Sequence, residues 1–70
     1  MSPKQYILDL RIRNAQILLE TTDGTVSEIA RIVGYDNPMY FSRLFRKAKG
    51  LSPLKYRKVY LEHYHQESEE

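Results

Sequence analysis

The sequence predicts an all-α fold: a small helical domain in which two short helices joined by a tight turn are preceded by one long helix and closed by another. Three observations predict it. Four places carry the residues that start a helix, namely Ser2-Pro3, Thr25 with Glu28, Asn37-Pro38 and Ser52-Pro53. Each offers a side-chain oxygen to the first backbone N–H groups, and three follow it with a proline whose fixed φ suits the first helical position. Apolar residues after these starts recur at helical spacing, as in Val26, Ile29, Ala30 and Val33 or Phe41, Leu44, Phe45 and Ala48. Only Gly34, Tyr35 and Asp36 stand between the second helix and the cap of the third, which leaves room for a sharp turn and nothing else. A chain of 70 residues holds one domain; at that size about 60% of the unfolded surface is buried, so its stability is modest.

The first helix is expected over residues 3–20, before Thr21-Thr22-Asp23-Gly24, whose composition is that of a turn. Its apolar residues form two stripes. Leu8, Ile12, Ala15 and Leu19 lie on one side, while Tyr6, Leu10 and Ile17 lie nearly opposite with Ile7 and Leu18 beside them. A consistently polar wedge is left to Gln5, Asp9, Arg13, Gln16 and Glu20. A helix apolar on two sides packs against two bodies, and the rest of the chain supplies one. The spacing leaves open which stripe turns inward; whichever turns outward leaves apolar surface exposed.

Residues 25–50 form the centre of the design. Thr25 and Glu28 make a capping box, Gly34 stands where a helix stops at a residue tolerant of positive φ, and Asn37 caps a helix with Pro38 at its first position. The small Ala30 lets the next helix cross closely, which is the helix-turn-helix logic. On that next helix Phe41, Leu44, Phe45 and Ala48 share the core side. Met39, Ser42, Arg43 and Arg46 share the other, with Tyr40 and Lys47 on the flanks. An apolar back and a long basic front suit the major groove of DNA, where arginine pairs two donors with the acceptors of guanine.

The closing helix is expected over 52–65, with Tyr56, Val59, Tyr60 and His63 at core-facing spacing, and the acidic residues 66–70 are expected to fray. His63 and His65, two apart on a helix, point about 200° from each other and do not share a metal. The start of this helix repeats an earlier one. Ser52-Pro53-Leu54-Lys55-Tyr56 resembles Ser2-Pro3-Lys4-Gln5-Tyr6, and the later copy follows a helix-turn-helix. The repeat carries the expectation that the chain begins inside a duplicated unit whose first helix-turn-helix is missing.

Charge is unevenly placed. Net charge is only +2, yet Arg31, Arg43, Arg46, Lys47, Lys49, Lys55, Arg57 and Lys58 face Asp36 alone between residues 31 and 58, while Glu62, Glu67, Glu69 and Glu70 follow with no Lys or Arg. That is the footprint of a phosphate-binding surface. The absence of cysteine removes disulfides, zinc–cysteine sites and thiol catalysis. No paired carboxylates, nucleophile–base set, metal cluster or phosphate-cradling glycine loop is visible, so no catalytic residue, metal or cofactor is assigned and enzyme activity is set aside. With no apolar run of about 18 residues and no leader pattern, no membrane partner is expected, and a cytoplasmic location is the default.

The residues Ile29-Ala30, Val33-Gly34-Tyr35-Asp36, Tyr40 to Lys47, Gly50-Leu51-Ser52-Pro53 and Tyr56-Arg57, preceded by Arg11-Ile12, Ala15 and Leu18-Leu19, resemble the signature of AraC/XylS-type transcriptional regulators over residues 2 to about 58. The resemblance implies the second half of an all-helical DNA-binding domain made of two helix-turn-helix units and a linker helix. It makes residues 3–20 that linker and 25–50 the second unit. It assigns Phe41, Leu44 and Phe45 to the core and carries DNA contact onto Asn37, Met39, Tyr40, Ser42, Arg43, Arg46 and Lys47, with Ser42 and Arg43 the best matched. Arg43 and Arg46 would read base edges in double-stranded DNA, with Ser42 and Asn37 as shorter contacts. Lys47, Lys49 and Lys55 would hold phosphates, as would the helix N-termini at Val26 and Pro53. The alternative reading is a protein-interaction module, contacting RNA polymerase or self-associating through the exposed apolar face of the first helix.

Overall fold

The computed structural model describes the backbone of residues 2–68 and the side chains of residues 2–63. Four helices follow in order: α1 (Pro3–Thr21), α2 (Val26–Ile32), α3 (Pro38–Lys49) and α4 (Pro53–Ser68). Their starts are those the sequence marks. Ser2 Oγ accepts from Gln5 N at 3.2 Å, and Ser52 Oγ accepts from Lys55 N at 3.2 Å. Thr25 Oγ1 accepts from Glu28 N at 3.1 Å while the Glu28 carboxylate accepts from Thr25 N at 3.0 Å, completing the capping box. The Glu28 carboxyl is held below the usual carboxylate range, first by that backbone bond and then by the Thr25 hydroxyl.

The stop of α2 is a Schellman arrangement. Tyr35 N donates to Ala30 O at 2.8 Å and Gly34 N to Arg31 O at 3.1 Å, which places Gly34 at φ 110°. Gly50 closes α3 in the same left-handed region, at φ 83°. α1 ends differently. Thr22 N, Thr21 Oγ1 and Thr22 Oγ1 turn back onto the carbonyls of Leu18, Ile17 and Leu18. From α4, Arg57 Nε and Nη2 then donate to Leu19 O and Thr22 O, both at 3.0 Å. Arg57 is therefore the cation at the negative end of α1, whose own last turn has none. Neither its place in the basic run nor its place in the signature announces this partner.

The core is one cluster: Ile12, Ala15 and Leu19 of α1, Ile29, Ala30 and Val33 around α2, and Phe41 and Phe45 of α3. α1 packs against the other three helices, α2 against α3, and α3 against α4. The stripe of α1 turned inward is thus the one containing Ile12, with Leu8 half-buried at its end. Ala30 is 0% exposed, as a close crossing of α2 and α3 requires. An unbroken run of rings links the helices: Tyr40 to Tyr35, Tyr35 to Phe41, Phe41 to Phe45, Phe45 to Tyr56, and Tyr56 to Tyr60, every step between 5.6 and 6.5 Å. Edge-on and tilted pairs at such distances are favourable in their own right.

Four expectations need correction. α4 runs on to Ser68, past the end expected at residue 65; between Pro53 and Ser68 there is no glycine or further proline to stop it, and Glu69 and Glu70 of the expected acidic tail lie outside the described residues. Val59 and His63 are exposed, because the inward arc of α4 is Pro53, Tyr56, Arg57 and Tyr60. Ala48 is exposed and Leu44 only half-buried: the last turn of α3 stands beside α1 across an open groove that Leu8 and Leu44 share. Pro53, read as a helix starter alone, is among the most deeply buried side chains.

Candidate nucleic-acid interface

The twelve residues of α3 divide cleanly. Phe41 and Phe45 are 0% exposed and fix the helix in the core; each is a burial worth about 1.5–3 kcal/mol. At about 100° per residue, Arg43 points directly away from them, with Met39 and Arg46 on one side and Lys47 and Tyr40 on the other. All five are exposed. Ser42 sits at the margin, half-buried. The face is therefore a strip of three cations flanked by a thioether and a phenol.

Asn37 is exposed, but its Oδ1 accepts from Met39 N at 2.9 Å and from Tyr40 N at 3.2 Å. The cap takes its acceptor and leaves only the amide NH2 for an outside contact. Lys49, in the last position of α3, and Lys55, in the first turn of α4, are exposed on either side of the turn at Gly50. The structure thus brings eight of the predicted residues onto one helix with its cap and sets Lys55 on the next. The N-terminus of α2 is occupied by the Glu28 carboxylate, whose negative charge opposes a phosphate there.

Sequence reasoning missed the support behind this face. Tyr35, in the turn, lies edge-on to Tyr40 at 6.0 Å and against Phe41 at 5.9 Å. The Arg11 guanidinium of α1 sits over the Tyr35 ring, 5.2 Å from its centre. No periodicity on either helix announces a partner more than twenty positions away.

A family model described as a helix-turn-helix domain matches residues 1–59. The arabinose operon regulatory protein of Escherichia coli is 45% identical over 49 residues, covering 70% of this chain and 17% of that protein. The chain belongs to the AraC-type helix-turn-helix family. Within the family, the MmsAB operon regulatory protein of Pseudomonas aeruginosa is 48% identical over 56 residues, 80% of this chain and 18% of that protein. The DNA-binding domain of the global transcriptional factor AdpA, solved in complex with a target DNA, superposes with a TM-score of 0.89 at 36% identity, over 94% of this chain and 60% of that one. The chain thus spans less than a fifth of the length of these two regulators. The all-α architecture expected of an AraC-type unit is the one observed.

Proposed function

We propose that this chain binds double-stranded DNA with sequence preference, as part of a transcriptional regulator, by laying α3 in the major groove. One observation carries the reading: Arg43 projects opposite the two fully buried rings that anchor α3, flanked by Arg46 and Lys47. Arg43 then reads a guanine edge, Arg46 a neighbouring base, and the exposed Met39 suits the methyl group of thymine. Ser42 and the Asn37 amide make shorter contacts, Tyr40 lies along the strand, and Lys47, Lys49 and Lys55 hold phosphates. The resemblance to regulators and to a domain solved on DNA supports the reading, and such work belongs in the cytoplasm.

Fluorescence anisotropy against a random duplex pool at two salt concentrations, with sequencing of the bound fraction, tests it. An enriched motif of about one half-site and a steep salt slope are expected. Arg43→Ala should weaken the enriched duplex by about 1–3 kcal/mol and relax one base pair, whereas Lys47→Ala should weaken all duplexes alike and lower the salt slope by about one. Equal losses on enriched and random duplex for both variants would remove base reading from Arg43.

A second reading rests on the outer face of α1. Tyr6, Leu10 and Ile17 lie on the side away from the core at 60%, 45% and 47% exposure, next to Ile7, and Ile32 of α2 is 69% exposed. A set of exposed apolar residues of this kind is a contact surface for a second helical body. We read the first helix as a linker between this helix-turn-helix and another unit, with RNA polymerase or a second copy of the chain as the rival occupants. Sedimentation at rising concentration separates them: self-association should appear as a dimer that Leu10→Glu abolishes.

A further inference from the structure

Behind the face that we assign to DNA lies a contact, between α1 and the turn that joins α2 to α3, that the function above does not use. Arg11 belongs to α1, more than twenty residues from the turn between α2 and α3. Its guanidinium nevertheless lies over the Tyr35 ring at 5.2 Å, within the range in which a cation is drawn to an aromatic face. Gly34 makes the place for it. A methyl group at Gly34 would stand 3.1 Å from Arg11 Cζ, 3.3 Å from Nε and 3.4 Å from Nη1, tighter than side chains ordinarily pack. The backbone of Gly34 is thus one wall of a slot, the ring of Tyr35 is the other, and the planar guanidinium fills it. The Tyr35 ring in turn meets Tyr40 edge-on and Phe41 at a tilt. Tyr40 is exposed on the first turn of α3.

We propose that Arg11 is a positioning residue for DNA binding: seated between Gly34 and the Tyr35 ring, it holds Tyr35 against Tyr40 and so sets the first turn of α3 for the groove. The proposal rests on the DNA reading given above. Arg11 acts through Tyr35, not by touching the nucleic acid, and that distinction can be measured. A guanidinium that neutralised a phosphate would contribute about 0.9 to the slope of log K against log salt. A positioning residue changes affinity and leaves the slope alone.

The experiment compares wild type, Arg11→Met, Arg11→Lys, Tyr35→Leu and the Arg11→Met/Tyr35→Leu double variant. The probes are a duplex enriched by the wild-type chain from a random pool and an unselected duplex, each across a salt series. Each protein is also unfolded in urea, and its tyrosine ring resonances are recorded by NMR. The expected result is a roughly fivefold loss for Arg11→Met on the enriched duplex. The salt slope should not change, the Tyr40 ring resonances should shift, and Arg11→Lys should recover part of the loss. In the double variant Arg11→Met should add nothing to Tyr35→Leu. A slope lower by about one would make Arg11 a phosphate contact and overturn the proposal. So would a lowered urea midpoint with unchanged affinity and unchanged Tyr40 resonances, which is what a merely structural contact gives. If wild type binds every duplex equally weakly, the DNA reading falls and this proposal with it; if wild type is selective and Arg11→Met is equally so, this proposal falls alone.

Discussion

The first turns of α1 and α4 share a sequence, Ser-Pro-x-x-Tyr, and share their local bonds. Ser2 and Ser52 each accept from the third residue on at 3.2 Å, and the backbones of Tyr6 and Tyr56 donate back to the serine carbonyls at 3.0 and 2.8 Å. Everything beyond the first turn differs. Pro3 is exposed and Pro53 buried. Tyr6 is 60% exposed, whereas the Tyr56 ring meets Phe45 at 5.6 Å and Tyr60 at 6.5 Å, and its hydroxyl donates to the Glu20 carboxylate. Capping is a property of five neighbouring residues and repeats wherever they repeat; burial is a property of what stands opposite. The later copy has α3 and the end of α1 opposite it, and the earlier copy has no element opposite it among the described residues.

That contrast breaks most readily at the tyrosines. Tyr56→Ala should cost about 3 kcal/mol in urea unfolding, since it empties a packed ring site and strips Glu20 of a donor, while Tyr6→Ala should stay within about 0.5 kcal/mol. Equal losses would mean that the two starts are packed alike. The serines sharpen it next. Ser52→Ala should lower global stability by about 1 kcal/mol. Ser2→Ala should instead appear as faster amide exchange confined to the first turn of α1, because that turn opens without the rest.

The pH dependence of stability tests the packing of the later copy directly. Burial, with the hydrogen bond and charge of Glu20 behind it, pushes the Tyr56 hydroxyl from 10 up to about 12. In the unfolded chain Tyr56 ionises near 10, so its contribution is whole below that pH and is lost as pH rises from 10 to 12. Unfolding curves between pH 9 and 12 should show that decline in wild type and lose this part of it in Tyr56→Phe. The smallest effect belongs to a third helix start, that of α2. The Glu28 carboxyl is held low by the Thr25 backbone, so its contribution is present above the ordinary carboxylate pKa and disappears as pH falls through the folded value. Glu28→Gln should flatten the acid limb of the stability curve slightly.

The same contrast explains what the amino-acid sequence discloses. Helix starts, and the stop of α2, were legible because they are written in adjacent residues: Thr25 with Glu28, Asn37 with Pro38, and Gly34 where φ turns positive. The core faces of α2 and α3 were legible from periodicity, since Ile29, Ala30, Val33, Phe41 and Phe45 all fell where spacing put them. The inward stripe of α1 was not, because periodicity gives an angle and not a partner. Val59 and Ala48 depart from expectation for that reason: both lie within reach of an apolar arc, and no element among the described residues covers them. Arg57 on the carbonyls of Leu19 and Thr22, and Arg11 over Tyr35, join residues more than twenty apart. In the candidate interface, side-chain direction could be read residue by residue along α3. The division of Asn37 between cap and contact could not, since both uses call for the same side chain.

The run of rings from Tyr40 to Tyr60 has an optical consequence. With no tryptophan in the chain, its near-ultraviolet emission comes from tyrosine, and the rings stand 5.6 to 6.5 Å apart, well inside the reach of resonance energy transfer between such chromophores. Light taken up by Phe41 or Phe45 in the interior drains to the tyrosines at either end, one end being Tyr40 on the exposed face of α3. A group that stacks on or quenches Tyr40 would dim it together with the neighbouring Tyr35, so the domain carries its own unlabelled reporter of what lies against the exposed face of α3.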